Sequence, residues 1–226
     1  MATLLRVDAS LRTDGSISRA VADTAADAWR AQHPHGAVVH RDLSAAPLPA
    51  DAWAQSVGAA YTPQEQWSPD QRAAKELART LADEVLAADV VVLASPLYNF
   101  GVSQYAKVWI DLLITDPRLG PGSTALQGKP ALLVVAQGGG YRAGTPRHGW
   151  DHATAYLERI LGDNFGMSVD TVIADLTLAG VNPAMAHLID AAEQSLAEAH
   201  TSATQHGTRL AAAARATAQT AAQTAA

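Results

Sequence analysis

Residues 90–103 read VVVLASPLYNFGVS, and this stretch decides the fold that we expect. It opens with a run of apolar residues without polar side chains between them, which is typical of a strand covered on both faces. Pro96 has no backbone N–H to donate and biases Ser95 toward an extended conformation, so we expect strand pairing to end there. Residues 98–101 then place two rings and an amide beside a glycine. Such a loop suits a flat ligand with polar edges, and it equally suits a strand-to-helix turn whose rings fill the core.

Strands and helices alternate along the chain on both sides of this stretch. Further strands are predicted at residues 4–9, 37–41, 131–136 and 168–174. Helices are predicted between Ser18 and Pro34, at 69–88, 104–115 and 151–165, and from about Pro183 onward. The alternation predicts an α/β fold, a doubly wound parallel sheet of five strands with helices on both faces. Five strands suit the flavodoxin-like order 2-1-3-4-5, in which a ligand binds at the carboxyl ends of strands one and three.

The chain of 226 residues is long enough to bury one sizeable core. We expect one domain over residues 1–200, followed at 201–226 by a helix end or tail rich in alanine, threonine and glutamine. Residues 44–68 interrupt the alternation with prolines and three aromatic residues. A disordered linker would be poor in such rings, so we expect this segment to pack against something, for example a second subunit.

The composition excludes several classes of site and partner. The chain has no cysteine, which removes disulfides, thiolate metal ligands and iron–sulfur clusters, so electron transfer would need an added cofactor. A net charge of −6 without a basic cluster argues against nucleic acid or an anionic membrane as a partner. We see no signal-peptide pattern, and no apolar run approaches the roughly 20 residues of a membrane span, so we expect a cytoplasmic protein.

Three loops of unusual composition follow strands one, three and four of this scheme. They are residues 10–18, 95–103 and 137–150. Because the carboxyl ends of parallel strands meet at one edge of a sheet, all three loops should lie together. Scattered turns would not be expected to do this, so the coincidence favours a binding site.

The first loop carries hydroxyls at Ser10, Ser16 and Ser18 and leads into a helix start. Hydroxyls and free helix amides can hold a terminal phosphate, although serines at a helix start are also common caps. The loop has no Gly-Lys-Ser/Thr and only one glycine, so it matches neither a Walker loop nor a dinucleotide fingerprint. Nearby Arg12 and Arg19 could add positive charge.

The run Gly138-Gly139-Gly140 lets the backbone approach a planar ligand, although three glycines also form plain turns. A response-regulator domain shares the topology, but it needs an acidic cluster and a phosphorylatable aspartate after strand three. Asp8 has no acidic neighbour in the sequence pattern, and the third strand ends in Ser95-Pro96, so this class is disfavoured.

The loops together resemble one known family. The Ser10…Ser16-x-Ser18 pattern, Pro96-Leu97-Tyr98-Asn99-Phe100, the following Lys107-Val108-Trp109-Ile110-Asp111 and the Gly139-Gly140 pair look like the FMN-dependent NADH-azoreductases, also called FMN-dependent NADH:quinone oxidoreductases. The similarity runs over about residues 4–185. Its most specific part is the Pro-x-Tyr-Asn-Phe loop in register with the serine loop.

The resemblance implies a homodimer that binds FMN, takes electrons from NADH or NADPH and reduces a flat quinone or azo acceptor. It implies a cofactor site with the phosphate at Ser10, Ser16, Ile17 and Ser18, the ring at Pro96, Leu97, Tyr98, Asn99 and Phe100, and the pyrimidine edge at Gln137, Gly138, Gly139 and Gly140. Donor and acceptor would use one pocket in turn, with hydride passing through flavin N5. No catalytic acid or base is required of the protein.

Two positions depart from the family pattern. Members often have a proline where Ser103 stands and an arginine where Gly138 stands. Without that cation beside the reducible edge of the ring, the redox potential or the preferred substrate is expected to differ.

Tyr141, His148 and Phe165 are candidate walls of the substrate pocket. His148 or Arg147, at the mouth, would meet an anionic substrate. The pattern His148-Gly149-Trp150-Asp151-His152 also allows a metal reading, but it has no third ligand and a polar helix start explains it equally well, so we expect no metal. A flavodoxin-type one-electron carrier, a reductase of a dedicated biosynthetic intermediate and a non-catalytic binding domain are the competing functions.

Overall fold

The computed structural model describes the backbone of residues 1–224 and the side chains of residues 1–214. Its strands are β1 (Thr3–Asp8), β2 (Ala37–Asp42), β3 (Val90–Tyr98), β4 (Gly101–Val102), β5 (Pro130–Ala136) and β6 (Ser168–Ala174). Its α-helices are α1 (Ile17–Gln32), α2 (Ala52–Ala59), α3 (Pro69–Ala87), α4 (Gln104–Ile114), α5 (Thr154–Arg159) and α6 (Ile189–Thr224).

The five long strands form one parallel sheet in the order β2-β1-β3-β5-β6, which confirms the predicted flavodoxin-like order. The central strand β3 is covered on both faces of the sheet, and its first residues are fully buried. Val91 and Leu93 face one core layer together with Trp109, and Val90 and Val92 face the other. Alternation along a strand sends consecutive side chains into opposite layers, so a doubly covered strand must be apolar throughout.

The third strand continues past Pro96, which corrects the predicted end of pairing. Its parallel pairing does stop at this point, with Pro96 opposite Ala136 as the last partner in β5. The chain then leaves the sheet and folds back as an antiparallel hairpin in which Tyr98 pairs with Gly101. Proline removed one donor, but the hairpin uses the groups of the residues beyond it.

Residues 44–68 contain the helix α2, which the sequence did not predict. The segment is ordered, as expected: Ala52 and Ala59 are buried, and Trp67 Nε1 donates to the carbonyl oxygens of Ala59 and Thr62 at 2.9 Å. Three prolines and short apolar runs hid a two-turn helix, whose packing against α3 supplies the stability that its own sequence lacks.

The last helix, α6, crosses residue 200 without interruption and packs along α1. Ala203, Ala211 and Ala214 are buried, and Gly207 lies so close to α1 that a Cβ there would collide with the carbonyl oxygen of Ala25. Small residues four apart allow this close approach of the two helices. The division of the chain at residues 200 and 201 stays a prediction, and the side chains beyond residue 214 lie outside the described part.

The predicted helix over 151–165 is shorter in the structure. The α-helix α5 is followed by a wider π-helical turn at Ile160–Asn164. Among the described residues, no helix is both long enough and apolar enough to cross a membrane.

Candidate functional site

Hydrogen bonds join the three loops at the carboxyl edge of the sheet, which confirms that they lie together. Ser10 Oγ lies 3.2 Å from the hydroxyl of Tyr98, and that hydroxyl accepts from the amide of Leu11 at 3.2 Å. The amide of His152 donates to the carbonyl of Phe100 at 3.0 Å. The hairpin after β3 therefore contacts the loop after β1 on one side and the loop after β5 on the other.

The loop after β1 presents buried hydroxyls at an uncapped helix start. Ser16 is the residue before the first turn of α1, but its side chain makes no capping hydrogen bond. Its Oγ instead lies 3.4 Å from Ser18 Oγ, and both serines are buried. The first amides of a helix have no partner within the helix. Two hydroxyls and several amides therefore converge where a cap would ordinarily stand.

A buried ionic network supports this loop from below. The Arg19 guanidinium donates to the carbonyls of Arg12 at 2.9 Å and Ser10 at 3.0 Å, and to Asp42 at 2.5 and 2.8 Å. Its bond to Asp42 also lowers the pKa of that carboxyl and raises the pKa of Arg19 itself. The expectation that Arg19 adds charge to a bound phosphate is wrong, because its charge is taken up by carboxylates.

Asp8 does have an acidic neighbour, contrary to the sequence reading. It lies opposite Asp42 in the register of β1 and β2, and Arg19 bridges the two. Arg6 and His40 also contact the fully buried Asp8 carboxylate, at 3.0 and 2.8 Å. Two acids at neighbouring strand ends are thus neutralised by arginines, unlike the open acidic cluster of a response regulator.

The hairpin after β3 holds two residues in a strained conformation. Asn99 has φ 48° and Phe100 has φ 64°, between the paired residues Tyr98 and Gly101. Positive φ at both central positions is the signature of a type I′ turn, which prefers Asn-Gly. A phenylalanine in the left-handed region costs roughly 1–2 kcal/mol, and such strain concentrates at ligand clamps.

Ser103 ends this hairpin. Its buried hydroxyl donates to the carbonyl of Ala9 at 2.7 Å, at the end of β1. A proline at this position, which the resemblance led us to expect, could not make that bond.

The glycine run after β5 is held in place by hydrogen bonds that its backbone carbonyls accept from the segment after β6. The carbonyls of residues 137, 138 and 139 accept from the amides of residues 177, 178 and 176 at 3.0, 3.2 and 3.4 Å. A Cβ on Gly138 would lie 2.7 Å from the side chain of Leu178. Leu178 therefore takes the space beside Gly138, and an arginine there would require Leu178 to move. The buried Gln137 side chain donates to Asp151 at 2.7 Å.

Residues 141–150 fold into a compact loop over the hairpin. The amide of Gly149 donates to the carbonyl of Tyr141, which closes the loop. Phe100 meets the ring of Tyr141 edge-on at 6.1 Å and that of Trp150 edge-on at 5.1 Å. The Arg147 guanidinium lies 5.5 Å from the centre of the Phe100 ring. An open cleft of about 600 Å³ follows, lined by Asn99, Phe100, His148, Gly149, Trp150 and His152.

The structure places two of the three predicted pocket-wall residues beside the cleft and the third in the core. Tyr141 contacts Phe100, and His148 lines the cleft. Phe165 is buried in the core with Leu126 and precedes β6, so it lies at the amino edge of the sheet, away from the three loops. An aromatic before a strand cannot reach the edge at which the strand ends.

The metal reading of residues 148–152 finds no support in the ligand geometry. The Asp151 carboxylate faces inward, where it accepts from Gln137, from the amides of Ala153 and Thr154, and from the Thr154 hydroxyl. The Asp151 carboxylate therefore accepts hydrogen bonds from the residues at the start of α5. Within residues 1–214 there is no group of three acidic or histidine side chains that could hold a metal ion.

The sequence reading missed Trp150 as a wall of the cleft. The signal for it was weak, because one tryptophan in a turn-rich loop can equally lie at the surface.

A larger cavity of about 1010 Å³, between α2, α3 and the end of α4, contains none of the three loops.

Comparisons with known proteins agree with this fold. A family described as having a flavodoxin-like fold matches residues 2–221. An FMN-dependent NADH:quinone oxidoreductase of Frankia casuarinae is 44% identical over 202 residues, which are 88% of this chain and 95% of the relative. A protein of the same name from Streptomyces avermitilis is 37% identical over 213 residues, 93% and 98% of the two chains.

Solved structures show the same fold at lower identity. An FMN-dependent NADH-azoreductase from Bacillus anthracis, determined in complex with FMN, superposes with a TM-score of 0.76 at 17% identity, over 93% of this chain and all of the other. From the family match and the close relatives, the chain belongs to the flavodoxin-like family of FMN-dependent NADH:quinone oxidoreductases.

Proposed function

We propose that the chain binds FMN at the junction of the three loops and uses NADH to reduce quinones or azo compounds. The observation that carries this proposal is the junction itself, where an uncapped helix start, a strained aromatic hairpin and a glycine run lie side by side. The donor set fits FMN, because hydroxyls and helix amides suit a phosphate dianion and backbone amides suit the polar edge of the ring.

The phosphate is assigned to the loop after β1. Ser10, Ser16 and Ser18 supply hydroxyls, and the amide of Ile17 and its neighbours supply the positive end of α1. In support, Ser16 leaves these amides uncapped and the first turn carries no acidic side chain to compete. The positive end of the helix dipole adds to the affinity for a dianion.

The ring is assigned to the hairpin and the glycine run. Residues 96–98 supply a wall of backbone, Asn99 and Phe100 supply an amide and a ring, and residues 137–140 approach the pyrimidine edge. The carbonyls of residues 137–139 are already bonded to the segment after β6. The amide of Gln137 also donates to the carbonyl of Ala174, at 2.8 Å, so the amides of residues 138–140 are the groups that this turn can offer to a ligand.

When bound, FMN supplies the chemistry, accepting a hydride at N5 and passing two electrons to the acceptor. The residues of the chain bind and orient the reactants. Phe100 and Tyr141 give donor and acceptor an apolar wall, which favours stacking over solvation. The amides of Gly139 and Gly140 stabilise negative charge on the reduced ring. No side chain is assigned a proton-transfer role.

Anaerobic stopped-flow mixing of the FMN-loaded protein with NADH tests the proposal. We expect rapid bleaching of the visible flavin band, followed by its return when a quinone or an azo dye is added. NADPH in a parallel experiment measures the preference between donors. Failure to bind FMN, or bleaching too slow for turnover, would overturn the proposal, and the second result would favour a one-electron carrier.

We also propose a homodimer and retain the prediction of a cytoplasmic location. In support of the dimer, Tyr61 is 87% exposed and Trp53 is half exposed on the α2 segment, next to the cavity of about 1010 Å³. Exposed rings on an ordered segment favour a protein interface. Light scattering of the purified protein should give twice the mass of the chain, and a monomer at micromolar concentration would contradict the dimer.

A further inference from the structure

We propose that Arg147 and the cleft beside it form an anion subsite that selects planar aromatic acceptors carrying a sulfonate or carboxylate. This inference rests on the proposed function and names its substrate class. Two arginines of the loop 141–150 differ in a way that points to one of them. The charge of one is compensated and that of the other is not.

Arg142 is the compensated arginine. Its guanidinium contacts the buried Asp175 carboxylate through two nitrogens, at 2.9 and 2.7 Å. Opposite charges this close cancel most of the field that each would exert on a third group. Arg142 therefore offers little attraction to an incoming anion.

Arg147 is the uncompensated arginine. It forms no ion pair with any carboxylate in the part of the chain with described side chains, and its guanidinium lies 5.5 Å from the ring centre of Phe100 and 6.0 Å from that of Trp150. Contact with two aromatic faces holds a guanidinium in place without neutralising it. Its charge is thus fixed at the rim of the pocket.

The cleft between these rings suits the aromatic part of such a ligand. Phe100, Trp150, His148 and His152 line it, and none of its lining side chains is acidic. The nearest acid along the chain, Asp151, is turned inward to Gln137 and Thr154. A flat ring in the cleft would meet aromatic walls, and an anionic substituent on that ring would meet Arg147 without a competing carboxylate.

The subsite also bears on the substrate preference of a chain that has Gly138 where the resemblance predicts an arginine. The family cation expected at that position is missing, and Leu178 lies there instead. Arg147, later in the same loop, supplies a cation beside the rings of Phe100 and Trp150. The cation that this loop offers to a substrate is therefore Arg147, which can act on a substituent of the acceptor.

The test compares Arg147→Ala, Arg147→Lys and the control Arg142→Ala. Reduced, FMN-loaded protein is mixed with 1,4-naphthoquinone or with its 2-sulfonate, so that the reaction with NADH does not enter the rate. We expect Arg147→Ala to slow reoxidation by the sulfonate about fivefold, and to remove its salt dependence, with the uncharged quinone within twofold of wild type. Arg147→Lys should fall between, and Arg142→Ala should match wild type.

An equilibrium measurement separates this inference from the proposed function. Titration of the oxidised protein with 2-naphthalenesulfonate and with 2-naphthol, followed by tryptophan fluorescence, reports binding without any turnover. Weaker binding of the sulfonate alone in Arg147→Ala supports the subsite, even if reoxidation by both quinones fails and the reductase assignment falls. Equal changes for charged and uncharged compounds, or none, would overturn the subsite, as would an equal loss in Arg142→Ala.

Discussion

The loop after β1 and the loop after β5 border the same site but are held in opposite ways. The first is fixed from the interior, where Arg19 binds two of its carbonyls and is itself held by Asp8 and Asp42. The second is bonded through its glycine run to the segment after β6, and its outer part is fixed by its own turns, by the pair of Arg142 with Asp175 and by ring contacts at the surface. Under the proposed function, the loop held from the interior would bind the FMN phosphate, and the outer loop, which can change without disturbing the core, would meet the acceptor.

The largest expected effect comes from breaking the interior support. Arg19→Met leaves Asp8 buried with less compensation and removes the guanidinium that joins it to Asp42, so we expect a loss of about 3 kcal/mol in the free energy of unfolding. Urea unfolding measures it. Arg30→Met is the matched control on α1, since its pair with Asp27 is half exposed or more on both sides and should contribute about 0.5 kcal/mol or less.

Arg19→Lys tests whether this support shapes the phosphate site. A lysine keeps the charge but cannot bond both carbonyls and Asp42 together. We expect about tenfold weaker binding of FMN and unchanged binding of riboflavin, which lacks the phosphate. Equal weakening of both would show that the network acts on the whole fold rather than on this loop.

The pH dependence of stability gives the next effect. Hydrogen bonds from Arg19 hold the pKa of Asp42 below its ordinary value of 3.8. A carboxyl whose pKa is lower in the folded state stabilises the fold above its unfolded pKa, and that stabilisation is lost as the pH falls through the folded value. We expect Asp42→Asn to cost about 2 kcal/mol at pH 7 and clearly less below pH ~3.5. A constant difference across that range, in urea unfolding, would contradict the ion pair.

The hairpin shared by the two loops gives a smaller effect. Asn99 has a positive φ, so Asn99→Ala should cost about 1 kcal/mol, whereas Asn99→Gly should keep the turn. Both variants lose the side-chain amide, and we expect both to lower flavin affinity and turnover. Unchanged turnover in the two variants would mean that the ring does not lie against Asn99.

The smallest expected effect compares the cost of one equivalent substitution in each of the two loops. Gly15 and Gly144 both have positive φ, at 63° and 87°, one in each loop. Alanine strains both turns similarly, but the loop after β5 can open locally without unfolding the core. We expect Gly15→Ala to cost up to about 1 kcal/mol and to weaken FMN binding, and Gly144→Ala to cost about 0.3 kcal/mol or less. Urea unfolding and FMN titration of both variants decide between this and equal behaviour.

Several features of the fold were readable from the sequence because each rests on a local pattern. The apolar run of β3 predicted a central strand, and the structure buries it on both faces. The helix at α3 was predicted within one residue, since Pro69 is favoured in a first helical turn, and the structure adds a Ser68 cap at the same start. In contrast, α2 was missed, because its stability comes from contacts with α3 that no local pattern records.

Within the candidate site, charge pairing is a second property that the local sequence pattern did not predict. Arg19 and Arg147 both lie in or beside predicted binding loops, and no sequence pattern distinguished a neutralised cation from a free one. The structure buries Arg19 between Asp8 and Asp42, which are 34 positions apart but adjacent in register. It leaves Arg147 on two rings at the surface. Register between strands determined which cation is neutralised.

By itself, the sequence determined that this chain forms a parallel sheet and that three loops share its carboxyl edge. Burial periodicity is local, and the winding of parallel strands leaves little choice of side. Only the tertiary structure decided which side chains at that edge are compensated, strained or exposed, as for Asp8, Phe100 and Arg147. Those properties depend on neighbours far apart in the chain, and they set the electrostatic field that a ligand meets.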